Sequence, residues 1–153
     1  MSEALRNKAI RLLARRERSR AELQRLLDPQ GNDAQCVAAL LDELQNEGLL
    51  SEARLADQVI NARRARGSAA RIRHEMARRG LRSEVIAEAT AGLEDSDVQT
   101  ALQLWRKRFG ETATEQAERE RQLRFLLNRG FSRAIALKVL RMAAASGSTD
   151  NEE

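Results

Sequence analysis

The chain has 153 residues and a formal net charge of +4; 42% of its residues are hydrophobic but only 3% are aromatic, with one proline and no tyrosine. This composition argues against a β-sheet core and favours an all-α fold packed from Leu, Ile, Val and Ala. No apolar run approaches the roughly 18 residues that a membrane span needs, and residues 1–17 lack the apolar segment of a secretory signal. We therefore expect a cytoplasmic protein.

The spacing of apolar residues predicts nine helices between about residues 3 and 145. Two of them are expected to open with capping boxes, Ser19–Glu22 and Ser96–Gln99. The other expected caps are Ser51, Ser68, Ser83 and Ser132. Helix ends are indicated by the segment 28–31 and by Gly48, Gly67, Gly80, Gly92, Gly110 and Gly130. The core is expected to include Leu12, Leu26, Leu40, Ile72, Met76, Leu102, Leu126 and Val139.

The helix-ending glycines recur at a regular interval. Gly31, Gly80 and Gly130 are 49 and then 50 residues apart, and the tripeptides at residues 79–81 and 129–131 are alike. Such a period predicts three tandem three-helix repeats stacked into an elongated body, because one triplet is too small to bury its own apolar faces. The predicted repeats span 1–50, 51–94 and 95–145, followed by a disordered acidic tail over 146–153.

Charge alternates in blocks along the chain. Residues 61–82 hold eight arginines and one glutamate, whereas residues 83–100 hold five acidic residues and no base. The basic side is almost all arginine, whose planar guanidinium suits phosphates and carboxylates. The alternative interpretation is that these are solvated helix faces that pair with one another.

Residues for catalysis or metal binding are scarce. His74 is the only histidine and is expected on the surface, and Cys36, the only cysteine, is expected to be a buried structural thiol. The glycines form no phosphate-binding loop. We therefore expect no enzyme activity, no cofactor and no metal. Four aromatic residues are too few for a base-stacking RRM or OB fold, whereas arginine contacts to a nucleic-acid backbone stay open.

Four segments, in this order and at these distances, resemble the RecX family of bacterial RecA regulators. They are residues 16–23 (RERSRAEL), 48–56 (GLLSEARLA), 63–80 (RRARGSAARIRHEMARRG) and 124–131 (RFLLNRGF). The chain departs from the family pattern at Ser51-Glu52, where an acidic pair is usual, at Leu55, where an aromatic residue is usual, and at residues 68–70, the entry to the fifth helix.

The resemblance implies a crescent of three three-helix repeats that lies in the groove of the RecA–DNA filament and inhibits the recombinase, ATPase and coprotease activities of RecA. It also implies a place in homologous recombination, DNA repair and the SOS response. Sequence-nonspecific, weak binding to single- and double-stranded DNA is expected, by a monomer. The alternatives are a helix-turn-helix-like DNA-binding regulator and a helical protein-interaction scaffold without nucleic-acid contact.

The residues expected to contact RecA or DNA are all arginines from the basic blocks. They are Arg16, Arg54, Arg63, Arg64, Arg66, Arg71, Arg73, Arg78, Arg79, Arg121, Arg124 and Arg129. Arg71 and Arg78 are seven residues apart, so they share one side of a helix. Arg63 falls among the core positions of the fourth helix and is expected to bury its stem, while Phe125 lies off the leucine stripe of its helix and is expected to pack between repeats.

Overall fold

The computed structural model describes residues 3–28 and 33–149, with side chains up to Gly147. Over this part of the chain every regular element is helical, so the all-α prediction is confirmed. The helices are α1 (Glu3–Arg15), α2 (Arg20–Leu27), α3 (Ala34–Asn46), α4 (Glu52–Arg63), α5 (Ala69–Arg78), α6 (Ser83–Ala89), α7 (Asp97–Arg108), α8 (Gln116–Asn128) and α9 (Arg133–Thr149). Two 3₁₀ turns, Arg64–Arg66 and Leu93–Ser96, precede α5 and α7. The predicted stop at Pro29–Gly31 lies outside the described residues.

Helix starts follow the serine caps at most of the expected positions. At α2 the capping box is complete: Glu22 N–H donates to Ser19 Oγ (3.0 Å) and Ser19 N–H donates to Glu22 Oε1 (2.9 Å). Ser51, Ser68 and Ser132 each accept the N–H of the residue three positions later, at 3.1–3.2 Å. These hydroxyls satisfy amides that the first helical turn leaves without an intrahelical partner.

Two predicted caps are wrong. Ser96 makes no side-chain cap on α7; its Oγ accepts instead from Arg64 Nη2 at 2.7 Å. Ser83 is the first residue of α6, and its hydroxyl donates to the neighbouring Glu84 carboxylate at 3.4 Å. In the first case a tertiary partner takes the hydroxyl that local sequence would assign to the helix.

Two glycine turns have the same geometry, as the repeated tripeptide suggests. Gly80 and Gly130 have φ of +82° and +93°, a left-handed conformation that residues with a Cβ rarely adopt. After each glycine the chain returns to its helix: Leu81 N–H donates to the Met76 carbonyl (3.2 Å), and Phe131 N–H donates to its counterpart at Leu126 (3.3 Å). Leu81 and Phe131 are buried. The third glycine of the proposed period, Gly31, lies outside the described residues.

The chain forms two compact units. The first comprises residues up to Val59 together with Glu75–Ala89. Its main core lies among α1, α2 and α3 and contains Leu5, Ala9, Leu23, Leu27, Val37, Leu40, Leu41, Leu44 and Leu50. Leu40 is buried as expected, but Leu12 is only partly buried. The expectation for Leu26 is wrong: it is 39% exposed, because α2 turns Leu23 and Leu27 into the core.

The second unit comprises Ile60–His74 and the residues from Thr90 onward. Its core lies among α7, α8 and α9 and contains Ala101, Leu102, Trp105, Leu126, Phe131, Ala136, Val139 and Ala143. The Trp105 indole donates to Gln122 Oε1 at 2.8 Å, so this core holds a satisfied polar pair. Ile72, in this unit, and Met76, in the first unit, are also buried, as predicted.

The C-terminal boundary differs from the predicted one. α9 continues to Thr149, so residues 146–149 are helical and not part of a disordered tail; residues 150–153 lie outside the described part. The repeat boundaries near residues 50 and 94 stay a prediction, since compactness divides the chain into the two units above. Within residues 3–28 and 33–149, no helix combines the length and the apolar character that crossing a bilayer requires.

Candidate functional site

Arginines of the predicted site differ in whether the fold already uses their guanidinium groups. In the second unit, Arg64 is the most completely used. Its side chain is 16% exposed and its Nη1 lies 2.7 Å from Asp97 Oδ1, while Nη2 donates to the Leu93 carbonyl (2.9 Å) and to Ser96 Oγ (2.7 Å). This guanidinium holds the 3₁₀ turn before α7 and has little left for a partner.

Arg73 is tied to the same 3₁₀ turn. Its Nε donates to Thr90 Oγ1 at 2.8 Å and its Nη2 to the Thr90 carbonyl at 3.1 Å. It also pairs with Glu94, and the hydrogen bond from Arg73 lowers the pKa of that carboxyl. The carboxylate therefore stays charged and keeps the arginine in place.

In the first unit, Arg54 and Arg79 are the paired members of the predicted site. Arg54 forms an ion pair with Glu17, which raises the arginine pKa, and donates to the Gly48 carbonyl at 3.0 Å. Arg79 lies 3.1 Å from Glu22 Oε1. Burial alone would raise the pKa of Glu22, but the Ser19 N–H and Arg79 hydrogen bonds outweigh it, and the pKa is lowered. Both arginines thus connect distant parts of their unit.

The family-pattern departures in α4 have structural roles in this chain. Ser51 caps α4. Glu52 is 4% exposed and accepts the backbone N–H groups of Arg20 (3.1 Å) and Arg82 (3.3 Å). Leu55 is 1% exposed. Glu52 and Leu55 are therefore part of the interior of the first unit, and a partner that docks on its surface would not touch them.

Arg71 and Arg129 bridge segments of the second unit while remaining at its surface. Arg71 Nη1 donates to the Asn128 carbonyl at 2.7 Å, and Arg129 Nη1 donates to the Arg66 carbonyl at 3.3 Å. Arg63 is exposed, so the expectation that its stem is buried is wrong. α4 ends at Arg63, and the 3₁₀ turn that follows directs Arg64 inward in its place.

Four arginines of the predicted set are exposed and have no hydrogen-bond or ion-pair partner for the guanidinium among the described residues. These are Arg16 and Arg78 in the first unit and Arg66 and Arg124 in the second. Arg121 is also exposed, but it contacts Glu118 at 3.5 Å. The four unpaired guanidinium groups can donate to an external phosphate or carboxylate without breaking a contact inside the fold.

Sequence reasoning missed a cluster of arginines around two aromatic rings that contact each other in the second unit. The Phe109 and Phe125 rings meet edge to face, with centroids 5.3 Å apart and planes at 87°. The guanidinium carbons of Arg108 and Arg121 lie 5.4 and 5.8 Å from the Phe109 centroid, and that of Arg129 lies 5.1 Å from the Phe125 centroid. Phe125 therefore packs inside its own repeat, against the expectation that it packs between repeats.

An open cavity of about 480 Å³ lies beside this cluster. Arg108, Phe109, Arg121, Arg124, Phe125 and Asn128 line it. The run Arg106-Lys107-Arg108 directly before Phe109 is the one sequence signal that could have pointed here.

Residues for metal chemistry do not come together in the part of the chain that the structure describes: no three His, Cys, Asp or Glu side chains there could share an ion. His74 is exposed, as expected, and Cys36 is half-buried, less than expected.

Comparison with known proteins identifies close relatives over nearly the whole chain. Models of the first and third three-helix domains of RecX match residues 6–44 and 94–140. The regulatory protein RecX of Leptothrix cholodnii is 40% identical over 148 residues, which cover 97% of this chain and 94% of the relative. The regulatory protein RecX of Ralstonia nicotianae is 39% identical over 142 residues, covering 93% of this chain and 89% of the relative.

Solved structures share the fold at low sequence identity. The crystal structure of RecX from Lactobacillus salivarius superimposes with a TM-score of 0.78 at 16% identity, covering 92% of this chain and 95% of that one. A second crystal structure, of a regulatory protein RecX, gives a TM-score of 0.69 at 17% identity and covers 88% of this chain and 72% of that one. Together with the matched three-helix domains, they show an all-α repeat fold.

Proposed function

Because the chain belongs to the RecX family of regulatory proteins, we propose that it binds the RecA–DNA filament and inhibits the recombinase, ATPase and coprotease activities of RecA. The observation that carries the proposal is identity near 40% over almost the entire chain. The protein acts in the cytoplasm by binding, without a cofactor and without catalysis of its own.

The exposed arginines without internal partners are the groups that make the contact. Each unit contributes its own: Arg16 and Arg78 in the first, Arg66 and Arg124 in the second. A nucleoprotein filament presents phosphates and acidic side chains, and an arginine can meet either with two parallel N–H groups. Arg54, Arg64, Arg73 and Arg79 act indirectly in this scheme, because their ion pairs hold helices in place.

The test is the rate of ATP hydrolysis by RecA on single-stranded DNA. Purified protein added below the RecA concentration should slow hydrolysis. Arg78→Glu should weaken this inhibition, because Arg78 is exposed and lacks an internal partner among the described residues. Arg11→Glu is the matched control, since Arg11 is an exposed residue of α1 outside the predicted site. Unchanged hydrolysis at a large excess of wild-type protein would refute the proposal.

Gel shifts distinguish binding to the RecA–DNA filament from the two alternative functions. Random single- and double-stranded DNA, with and without RecA and ATP, should show tighter binding to the filament than to free DNA. Specific retention of one duplex sequence without RecA would support a helix-turn-helix regulator instead. If adding the protein changes the mobility of neither free DNA nor RecA-bound DNA, a scaffold that contacts no nucleic acid would be supported. For free DNA, each lost phosphate contact should lower the salt slope by about 0.7–0.9.

A further inference from the structure

We propose that the groove beside Phe109 and Phe125 is a binding site for single-stranded nucleic acid, in which the arginines that line it contact bases and phosphates. The inference rests on the proposed function and deepens it, because it names one nucleic-acid contact within the second unit. It concerns Arg108, Arg121 and Arg124, of which the sequence pattern had pointed only to the last two.

Three guanidinium groups at the two rings, those of Arg108, Arg121 and Arg129, are held in place before any ligand arrives. Arg108 and Arg121 both lie over the Phe109 ring, at 5.4 and 5.8 Å from its centroid. The Arg129 guanidinium lies 5.1 Å from the Phe125 centroid and donates to the Arg66 carbonyl. An arginine stacked on a ring loses less rotamer freedom on binding than a free one, so the groove presents its cations at a reduced entropic cost.

The positive charge of the groove is only partly compensated, by the 3.5 Å contact between Arg121 and Glu118. Among the described residues that line it are three arginines and the Asn128 amide, and no carboxylate. Arg124 in particular has no hydrogen-bond or ion-pair partner for its guanidinium within residues 3–28 and 33–149. The neighbouring cavity across Phe109 differs, since Glu111, Glu115 and Glu118 line it. Arg108 and Arg121 line both cavities, so an anion is favoured in the groove that also holds Arg124 over the cavity that holds these three carboxylates.

The aromatic component favours a single strand over other anions. Unpaired bases stack on aromatic rings and on guanidinium planes, and the backbone phosphates follow the basic residues alongside. In a duplex the bases are already stacked on each other and cannot enter a groove of this kind. Carboxylates of an acidic protein would gain from the arginines but not from the rings. The volume of about 480 Å³ lies within the range of pockets that enclose small molecules, as a nucleotide base requires.

The experiment measures binding of fluorescent oligonucleotides to the full chain without RecA. Three probes of equal phosphate number are compared: oligo-dT, an oligomer of abasic sites, and a DNA hairpin. Wild-type protein should bind oligo-dT more tightly than either of the others. Arg124→Ala should weaken oligo-dT binding roughly five- to 100-fold and lower its salt slope by about 0.7.

Arg119→Ala is the matched control for Arg124→Ala. Arg119 lies on the same helix, is exposed, and lines a different cavity between α8 and α9. The Arg119→Ala variant should bind oligo-dT within about twofold of wild type if the groove, and not the general charge of α8, binds the strand. Phe125→Leu keeps an apolar side chain but removes the ring, so oligo-dT affinity should fall to that of the abasic oligomer.

Several results would overturn the proposal. Equal wild-type affinity for oligo-dT and the abasic oligomer would show that bases make no contact. Equal losses in Arg119→Ala and Arg124→Ala would show diffuse attraction only. Poly-glutamate bound as tightly as oligo-dT, with the same loss in Arg124→Ala, would make an acidic protein the partner. Because Arg124 is exposed, its variant stays informative if Phe125→Leu fails to fold. A negative result here rejects the groove as a binding site. It does not bear on inhibition of RecA, which the ATP hydrolysis assay tests separately.

Discussion

At two places in the molecule a serine-capped helix start meets a carboxylate from the first residue of another helix. In the first junction, the amide after Ser19 donates to Glu52 Oε1 at 3.1 Å. In the second junction, the amide after Ser68 donates to Asp97 Oδ1 at 3.0 Å. The two serines are 49 residues apart, the period of the glycines. Each junction lies within one compact unit.

A glycine turn completes each junction by close approach. A Cβ on Gly80 would lie 2.7 Å from the Ala21 Cβ, and a Cβ on Gly130 would lie 2.5 Å from Ser68 Oγ. The serine also contacts the carbonyl of the arginine that precedes the glycine. Ser19 Oγ donates to the Arg79 carbonyl at 2.6 Å, and the Ser68 backbone N–H donates to the Arg129 carbonyl at 3.1 Å. The junctions therefore share their backbone arrangement.

The junctions differ in how the buried carboxylate is neutralised. Glu52 accepts two backbone amides, and its nearest guanidinium belongs to Arg82, which is 63% exposed and 3.5 Å away. Asp97 uses one oxygen for a backbone amide and for Arg64, which is 16% exposed and 2.7 Å away. Both junctions need a glycine and a capping serine for their backbone arrangement. The residue that neutralises the carboxylate differs between them.

The largest expected effect comes from the residue under each glycine turn. Met76 and Leu126 are 0% exposed and occupy equivalent positions, so Met76→Ala and Leu126→Ala should each cost about 2–5 kcal/mol of unfolding free energy. Urea denaturation followed by circular dichroism measures the loss. Leu26→Ala, at a 39% exposed position, should stay within about 0.5 kcal/mol. A large loss at one of the two buried positions and a near-zero loss at the other would contradict the equivalence.

Alanine at the two glycines should have the next largest effect. Gly80→Ala and Gly130→Ala add left-handed strain, about 1–2 kcal/mol, to a steric clash of about 1–3 kcal/mol. Gly48→Ala isolates the strain, because Gly48 has φ of +78° but nothing lies within 4 Å of an added Cβ. Thermal unfolding should therefore rank Gly48→Ala as the mildest of the three. Equal losses at all three sites would mean that close approach contributes nothing to the junctions.

The third prediction concerns the carboxylates and uses double-mutant cycles. Asp97→Asn combined with Arg64→Gln should show a coupling energy of about 1–2 kcal/mol, because the pair is largely buried. Glu52→Gln combined with Arg82→Gln should show about 0–0.5 kcal/mol, because Arg82 is exposed. Denaturant titrations of the single and double variants provide both numbers. A coupling as large for Glu52 as for Asp97 would remove the distinction between the junctions.

Features that depend on near neighbours in the chain could be predicted from the sequence. The Ser19 capping box and the turns at Gly80 and Gly130 were found because a cap needs a hydroxyl three residues before an amide, and a left-handed turn needs a residue without a Cβ. The all-α class followed from composition, because few aromatic residues and a single proline favour helices. Most core positions followed from helical periodicity. Leu26 was assigned to the wrong side of the short helix α2 and is exposed.

Features that depend on distant partners could not be predicted. Ser96 looked like a cap, but Arg64, 32 residues earlier, takes its hydroxyl. The choice of Arg64 over Arg63 as the inward arginine depends on where α4 ends. The cluster at Phe109 and Phe125 requires the contact between α7 and α8, which no local pattern encodes. Which arginines are unpaired, and thus open to a partner, also depends on tertiary contacts.

The smallest expected effect is the pH dependence that Glu22, the carboxylate of the capping box, adds to the first junction. Glu22 lies three residues after Ser19, and hydrogen bonds from the Ser19 N–H and from Arg79 lower its pKa, although burial acts to raise it. The corresponding position after Ser68 is Arg71, so the second junction has no such carboxylate. A lowered folded-state pKa adds stability that is fully present above the unfolded value, near 4.5, and is lost as pH falls through the folded value.

Amide hydrogen exchange offers matched reporters for this difference. Leu23 N–H donates to the Ser19 carbonyl at 3.0 Å, and Ile72 N–H donates to the Ser68 carbonyl at 3.1 Å. Once intrinsic exchange rates are accounted for, protection at Leu23 should fall relative to protection at Ile72 as pH drops below about 4.5. Glu22→Gln should abolish the difference, since the amide does not titrate, whereas Glu94→Gln in the second unit should not. A relative protection that ignores pH, or that survives Glu22→Gln, would show that this ion pair does not hold the first junction closed.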